Sequence, residues 1–326
     1  MTRALTGIQA TGIPHLGNYF GMMKPSLEWQ NASDAFYFIA DLHSFTSVFD
    51  AEKFREYQHG VILDWLALGI NSDASTFYRQ SDIRAHTELT WILLCHTPMG
   101  LLERAHAYKD SVANGKSPNV GLFTYPILMA VDILLYDTNI VPVGADQKQH
   151  VEIARDIAQK FNNTYNTDIF TLPEPSIRED VGTLVGTDGR KMSKSYGNTI
   201  PIFGEEQAIK KAIMGIKTDS KAMGEALDPE TCPVFAYHTL FENKDLDMLR
   251  EQYISGSIGY GGAKKQLFEL VWEYFAEARE KRKHYENNSE LVEEIMQQGA
   301  QKANKIAEEK LRKVREIVGL SAVHAH

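Results

Sequence analysis

A chain of 326 residues and 36.8 kDa is long enough to bury a sizeable core and to form two domains of ordinary size. With 43% apolar and 24% charged residues it is composed like a globular protein, and a formal charge of −9 excludes one that coats nucleic acid through bulk electrostatics. RNA recognised through a local basic patch stays compatible with that charge.

Two cysteines, Cys95 and Cys232, give neither a disulfide framework nor metal-ligand spacing, so no metal site is expected. No signal-peptide core precedes the first strand-like run, and residues 120–136, interrupted by Pro126 and Asp132, are too short and too polar to span a bilayer. A reducing cytoplasm is the expected setting.

In chain order, residues 4–9 read as a strand that leads through a Gly/Pro turn into a helix over 18–30. Gly7, Gly12 and Gly17 let backbone approach a ligand without a Cβ in the way. The helix start should offer N–H groups to a phosphate, with His15 and Asn18 as further donors. The plainer alternative is a capped helix with an incidental histidine.

Residues 35–43, apolar on both faces, read as a buried parallel strand, followed by a helix over 51–68, a strand over 76–80 and a helix over 86–94. The next apolar helix is expected over 126–136, with Pro126 in its first turn. There Met129, Asp132, Ile133 and Tyr136 share a face at spacings of three and four.

A lone carboxylate in so apolar a helix costs several kcal/mol if buried unpaired. Either a cation elsewhere in the chain pairs Asp132, or it waits for a donor on a ligand. A carboxylate only accepts and an indole N–H only donates, so an apolar slot with one buried acceptor suits a tryptophan side chain. Such a slot can reject analogues lacking the donor by about 10⁴–10⁵ without an editing step, and the chain has no room for an editing domain.

Residues 140–144 read as a strand ending at Gly144, where adenosine could lie against backbone while Asp146 accepts from both ribose hydroxyls. Capping of the following helix, whose apolar face runs from Val151 to Phe161, is the structural alternative for Asp146. Further on, Lys191-Met192-Ser193-Lys194-Ser195 sits on a Gly-flanked segment. Its two ammonium groups and two hydroxyls suit a triphosphate on which charge develops.

Beyond Pro201 the pattern is helical, over 205–214, 245–254, 262–286 and 290–318. In the last helix the apolar residues recur at threes and fours from Val292 to Val318, with acids early and bases late. That fits a packed helix aligned with its dipole, and a nucleic-acid contact is the alternative. Strand–helix alternation followed by helices predicts an α/β fold: a doubly wound parallel sheet over 1–200 and a smaller helical domain over 201–326. The last helix is expected to pack back on the sheet domain.

The His15-Leu16-Gly17-Asn18 turn and the Lys191–Ser195 loop, in this order, resemble the two signatures of class I aminoacyl-tRNA synthetases. The runs Gly121–Leu135 and Val141–His150 narrow the resemblance to the tryptophanyl-tRNA synthetase family, of the bacterial type. Tyrosine enzymes share the fold and both signatures but typically continue after G-x-D-Q with a Trp.

The resemblance implies a Rossmann-like catalytic domain and a ligase that activates L-tryptophan with ATP and Mg²⁺, the ion held mainly by the phosphates. It further implies transfer to the terminal ribose of tRNA(Trp), a homodimer, and anticodon contact through the helical part. By resemblance the ATP site comprises Gln9, Ala10, Thr11, Gly17, Asn18, Gly144, Ala145, Asp146, Lys191, Met192, Ser193, Lys194 and Ser195. His15, Asn18, Lys191 and Lys194 are its catalytic groups.

Asp132 then reads the indole nitrogen, Tyr125 and Gln147 hold the ammonium, Leu5, Met129, Val141 and Val143 form walls, and His43 is a pocket position at the end of the second strand. Two departures stand out. The first signature ends in Asn18 rather than His, and Ser111 replaces a lysine that reaches phosphate in many bacterial members. That role passes to neither Lys109 nor Lys116 on the sequence alone. A tyrosine enzyme, a relative that activates a small acid without charging tRNA, and a non-catalytic paralogue are the rival readings. The last sits poorly with the presence of His15, Asn18, Lys191 and Lys194.

Overall fold

The computed structural model describes residues 2–10, 12–115, 117–144, 147–176, 184–241 and 243–320. Five parallel strands form one sheet in the order β3-β2-β1-β4-β5: β1 (Arg3–Ile8), β2 (Asp34–Ile39), β3 (Thr76–Arg79), β4 (Ile140–Pro142) and β5 (Glu174–Ser176). Leu5 pairs with Phe36 across β1 and β2, and Ala4 with Ile140 across β1 and β4.

Side chains alternate across the sheet with period two. Leu5, Phe36, Phe38 and Tyr78 enter one core layer, and Ile8, Tyr37, Ile39 and Phe77 the other. The chain winds outward from β1 to β3, then returns to place β4 on the opposite flank of β1. That reversal opens a crevice at the carboxyl ends of β1 and β4, where doubly wound sheets hold ligands.

After β1, α1 (Leu16–Asn18) runs through a π-turn (Tyr19–Met23) into α2 (Lys24–Glu28). Expected strand 35–43 stops at Ile39, and its last residues form α3 (Asp41–Ser44), which carries His43. The Asp41 carboxylate diverts the chain by accepting from the backbone N–H of both Leu42 and Ser81, at 2.9 Å each. Helix α4 (Ala51–Leu68) spans the expected residues because Asp50 caps its start and Gly69, at φ 119°, ends it.

Next come α5 (Ala85–His96), α6 (Met99–Glu103) and α7 (His106–Ala113), of which only the first was expected. Helix α8 (Val120–Leu134) begins six residues earlier than predicted, since Asn119 accepts from the Leu122 N–H at 2.7 Å. Pro126 therefore lies inside the helix and not in its first turn. Helix α9 (Lys148–Tyr165) buries Val151, Ala154, Ile157, Ala158 and Phe161, the face read from the sequence. Strand β5, only Glu-Pro-Ser, was not anticipated; nothing in its residues is apolar or alternating.

Beyond residue 201 the described elements are α10 (Glu206–Met214), α11 (Pro233–Leu240), α12 (Leu246–Ser255), α13 (Tyr260–Tyr274), α14 (Ala276–Glu286) and α15 (Ser289–Val318). The single helix expected over 262–286 divides at Phe275, whose ring turns inward against Tyr19 and Tyr274.

Helix α15 lies along edge strand β3 and bridges both core layers, with Val292 and Met296 in one and Ala303, Ala307, Leu311 and Val314 in the other. It covers an edge that would otherwise present unpaired backbone. Its late bases are all paired within the chain: Lys310 with Asp137, Arg312 with Glu309 and Glu316, Lys313 with Glu309, and Arg315 with Glu88. This arrangement accords with the packing reading of the helix.

Candidate active site

The two signature segments meet at the crevice. Backbone bonds join Leu16 N–H to Ile200 O at 3.0 Å and Ile202 N–H to Pro14 O at 3.4 Å, so the segment after the lysine loop lies along the turn after β1. Met192, buried, accepts from the Gly17 N–H through its sulfur at 3.4 Å. Lys194 Nζ donates to Gly12 O at 2.8 Å, and Gly12 holds φ at 127°, a conformation that favours glycine.

His15 and Asn18 cap each other. His15 Nδ1 accepts from the Asn18 N–H at 3.3 Å, and Asn18 Oδ1 accepts from the His15 N–H at 3.1 Å. Since Nδ1 accepts, the ring proton sits on Nε2, which is then a donor. Burial, reinforced by the Lys194 charge, lowers the imidazole pKa to about 4, so the ring is neutral near pH 7.

The capping alternative and the functional reading thus use different atoms of the same side chains. One expectation needs correction: the N–H groups of Leu16, Gly17 and Asn18 all have partners inside the chain.

The lysine loop is organised by Asn198, which lay beyond the motif as read. Its side chain accepts from the Ser193 N–H at 2.8 Å and donates to Asp188 Oδ1 at 2.7 Å and to Lys191 O at 3.1 Å. Asp188 is drawn down to about 2, chiefly by that amide and then by Arg190. Ser193 and Ser195 share a hydrogen bond at 2.9 Å, and Lys191 is exposed. Burial lowers Lys194 to about 8.

Gln9 is exposed and Ala10 buried where β1 ends, and Gly144 is half-buried beyond β4. Thr11, Ala145 and Asp146 lie outside the described residues, as does Lys116. Ser111 is buried and Lys109 exposed.

The residues expected to wall an aromatic amino acid belong to one core layer. Leu5 and Val141 are buried, and Met129 and Val143 are half-buried against the same core layer. Tyr125 shares a hydrogen bond with His150 Nε2, and its ring meets His43 edge-on at 6.0 Å between centroids. Gln147 is half-buried at the start of α9, its N–H donating to Gly144 O at 2.9 Å.

Asp132, 1% exposed, is paired by no lysine or arginine among the described residues. Its Oδ2 accepts from His43 Nε2 at 2.8 Å and its Oδ1 from Gln80 Nε2 at 2.6 Å. His86 Nδ1 lies 2.8 Å from Oδ1 at an angle too poor for a full hydrogen bond. Burial would raise the carboxyl pKa, yet His43 and His86 outweigh it and hold the group below its usual value. Asp132 is therefore an anion whose oxygens each accept one hydrogen bond; His86 Nδ1 crowds the second side of Oδ1, so the less hindered lone pair is on Oδ2. Gln80 and His86 were missed in the sequence; a Gln at the carboxyl end of an apolar strand was the only signal.

Among the described residues no three of His, Cys, Asp and Glu converge to hold a metal ion, and no helix is long and apolar enough to cross a membrane. The family model for class I tRNA synthetases (W and Y) matches residues 1–276. The tryptophan–tRNA ligase of Fusobacterium nucleatum is 49% identical over 321 residues, with 98% of each chain covered.

That of Campylobacter jejuni is 51% identical over 319 residues, covering 98% of this chain and all of the relative, 100%. The crystal structure of the Campylobacter jejuni tryptophanyl-tRNA synthetase, complexed with ADP and tryptophan, superimposes with a TM-score of 0.92 at 50% identity, covering 98% of this chain and 100% of that one. The chain belongs to the class I tRNA synthetases of the tryptophan and tyrosine group, among the bacterial tryptophan–tRNA ligases.

Proposed function

We propose that the chain activates L-tryptophan with ATP and transfers it to the 3′-terminal ribose of tRNA(Trp). The observation that carries this reading is the junction of both signature segments, together with a buried Asp132 that no lysine or arginine pairs among the described residues. The tryptophan carboxylate, already ionised, attacks the α-phosphorus in line; the bond to pyrophosphate breaks, and no general base is required. Lys191, Lys194, His15 Nε2 and Asn18 Nδ2 face charge that grows on the departing phosphates. Gln9, Ala10, Thr11, Gly17, Gly144, Ala145, Asp146, Met192, Ser193 and Ser195 complete the nucleotide site.

Mg²⁺ would be held mainly by the phosphates, where it would offset their charge, since no three of His, Cys, Asp and Glu converge among the described residues to hold it. Asp132 Oδ2 receives the indole N–H, Tyr125 and Gln147 the ammonium, with Leu5, Met129, Val141, Val143 and His43 around the ring. Residues 1–200 form the catalytic part and 201–326 the helical part that meets the anticodon, with α15 returned to the sheet. The enzyme acts as a cytoplasmic homodimer; exposed Phe45 and Phe49, after α3, and Val120, at the start of α8, which the Asn119–Thr46 bond brings near α3, support a second copy there.

ATP–pyrophosphate exchange across all twenty amino acids tests the reading. Tryptophan is expected to stand alone. A tyrosine response, or none, would sink it.

A further inference from the structure

We infer that Gln80, which reaches no ligand itself, is a positioning residue for amino-acid selection, because it fixes which oxygen of Asp132 stays open to the substrate. This rests on the reading of Asp132 as the indole acceptor. Gln80 follows β3 directly and is wholly buried, 0% exposed. Its Oε1 accepts from the Leu42 N–H at 3.1 Å, which settles the orientation of the amide: the other end, Nε2, must donate, and it points at Asp132 Oδ1 from 2.6 Å. Leu42 belongs to α3, the element that also carries His43. One short turn therefore anchors both donors that hold the carboxylate.

The consequence follows from counting lone pairs. Oδ1 accepts from the Gln80 amide with one lone pair, and His86 Nδ1 at 2.8 Å blocks its other side. His86 Nε2 lies 3.0 Å from the Tyr136 hydroxyl, which donates to it when the ring proton sits on the side facing the carboxylate. Among the described residues Oδ2 accepts from His43 alone, whose ring packs T-shaped with that of Tyr125. A free carboxylate could rotate about its Cβ–Cγ bond and offer either oxygen. The Gln80 amide removes that freedom, so one acceptor of fixed direction remains for a donor on the incoming ring. Selectivity for a ring N–H then depends on a residue that the substrate never touches.

The test compares tryptophan with β-(3-benzothienyl)alanine, which keeps the ring shape but replaces N–H with sulfur. Pyrophosphate-exchange kinetics are measured for wild type, Gln80→Met and Gln80→Asn; the first removes the amide, the second withdraws it by one methylene. In both variants KM for tryptophan should rise about tenfold with kcat little changed, and kcat/KM for benzothienylalanine should hold within about twofold, so the preference collapses.

The shorter, polar Asn variant guards against a folding failure of Met, and melting curves identify such a failure. Equal losses for both amino acids, or an unchanged preference in a variant that melts like wild type, would overturn the assignment. A wild-type enzyme with no preference for tryptophan over the sulfur analogue would instead remove Asp132 as the indole acceptor, a separate outcome.

Discussion

Lys194 holds its ammonium against the Gly12 carbonyl while burial works against that charge, bringing the pKa to about 8. The free enzyme therefore loses this cation as pH rises through about 8, and keeps it below. Bound triphosphate favours the charged form, so the loss should be deferred in the complex. Accordingly kcat/KM for ATP is expected to decline above pH 8, while kcat keeps its plateau to higher pH. Profiles that fall together would show that another group titrates. Lys194→Ala should lower the exchange rate by about 10²-fold with tryptophan affinity nearly intact, as for removal of one charge-stabilising donor. Losses of equal size in rate and in tryptophan binding would contradict that role.

At the scale of elements, the lysine loop and the last helix show two ways in which a segment is held. Within the loop, the Asn198 amide satisfies Ser193, Asp188 and Lys191 at once. Asn198→Ala leaves three polar groups without that partner, worth about 1–3 kcal/mol of loop order. KM for ATP should rise about tenfold or more while the melting temperature moves little, since the loop lies at the rim of the core. An unchanged KM would mean that the loop is ordered by other means.

The last helix is held by close approach. A Cβ on Gly299 would meet Phe77 O at 1.7 Å, with no flexible side chain to yield. Gly299→Ala should thus destabilise by about 3 kcal/mol or more, the upper range of overpacking. Gly60→Ala, inside α4 with nothing within 4 Å, should stabilise by about 0.5–1 kcal/mol. Denaturant unfolding of the pair checks both signs. The apolar repeat of α15 was legible because its period is local to the helix. Its partner was not, because the fit of Gly299 to the β3 backbone joins residues more than two hundred positions apart. Strand β5 escaped for the opposite reason: it is held by its neighbours and carries no pattern of its own. The start of α8 was missed because Asn119, a cap by its own chemistry, was overshadowed by a proline that often opens helices.

For the molecule as a whole, the sequence marked the crevice by its motifs, yet left Asp132 looking solitary, since Gln80 and His86 lie in other elements. The same long-range joining bears on whether the helical half is a separable unit. Helix α15 buries Val292, Met296, Leu311 and Val314, each contributing about 1.5–3 kcal/mol as an upper figure. It also supplies Glu293 to Arg79, Lys310 to Asp137 and Arg315 to Glu88 on the sheet side. Without it the outer edge of β3 and the apolar face of α5 would both meet water, a combination prone to association. A chain ending at residue 288 is therefore expected to lose cooperative thermal unfolding and pyrophosphate exchange together, although every residue assigned to the nucleotide and the amino acid is still in it. Retention of a sharp melt and of exchange by that truncated chain would make the last helix an accessory to the fold, and its close seating on β3 would need another explanation.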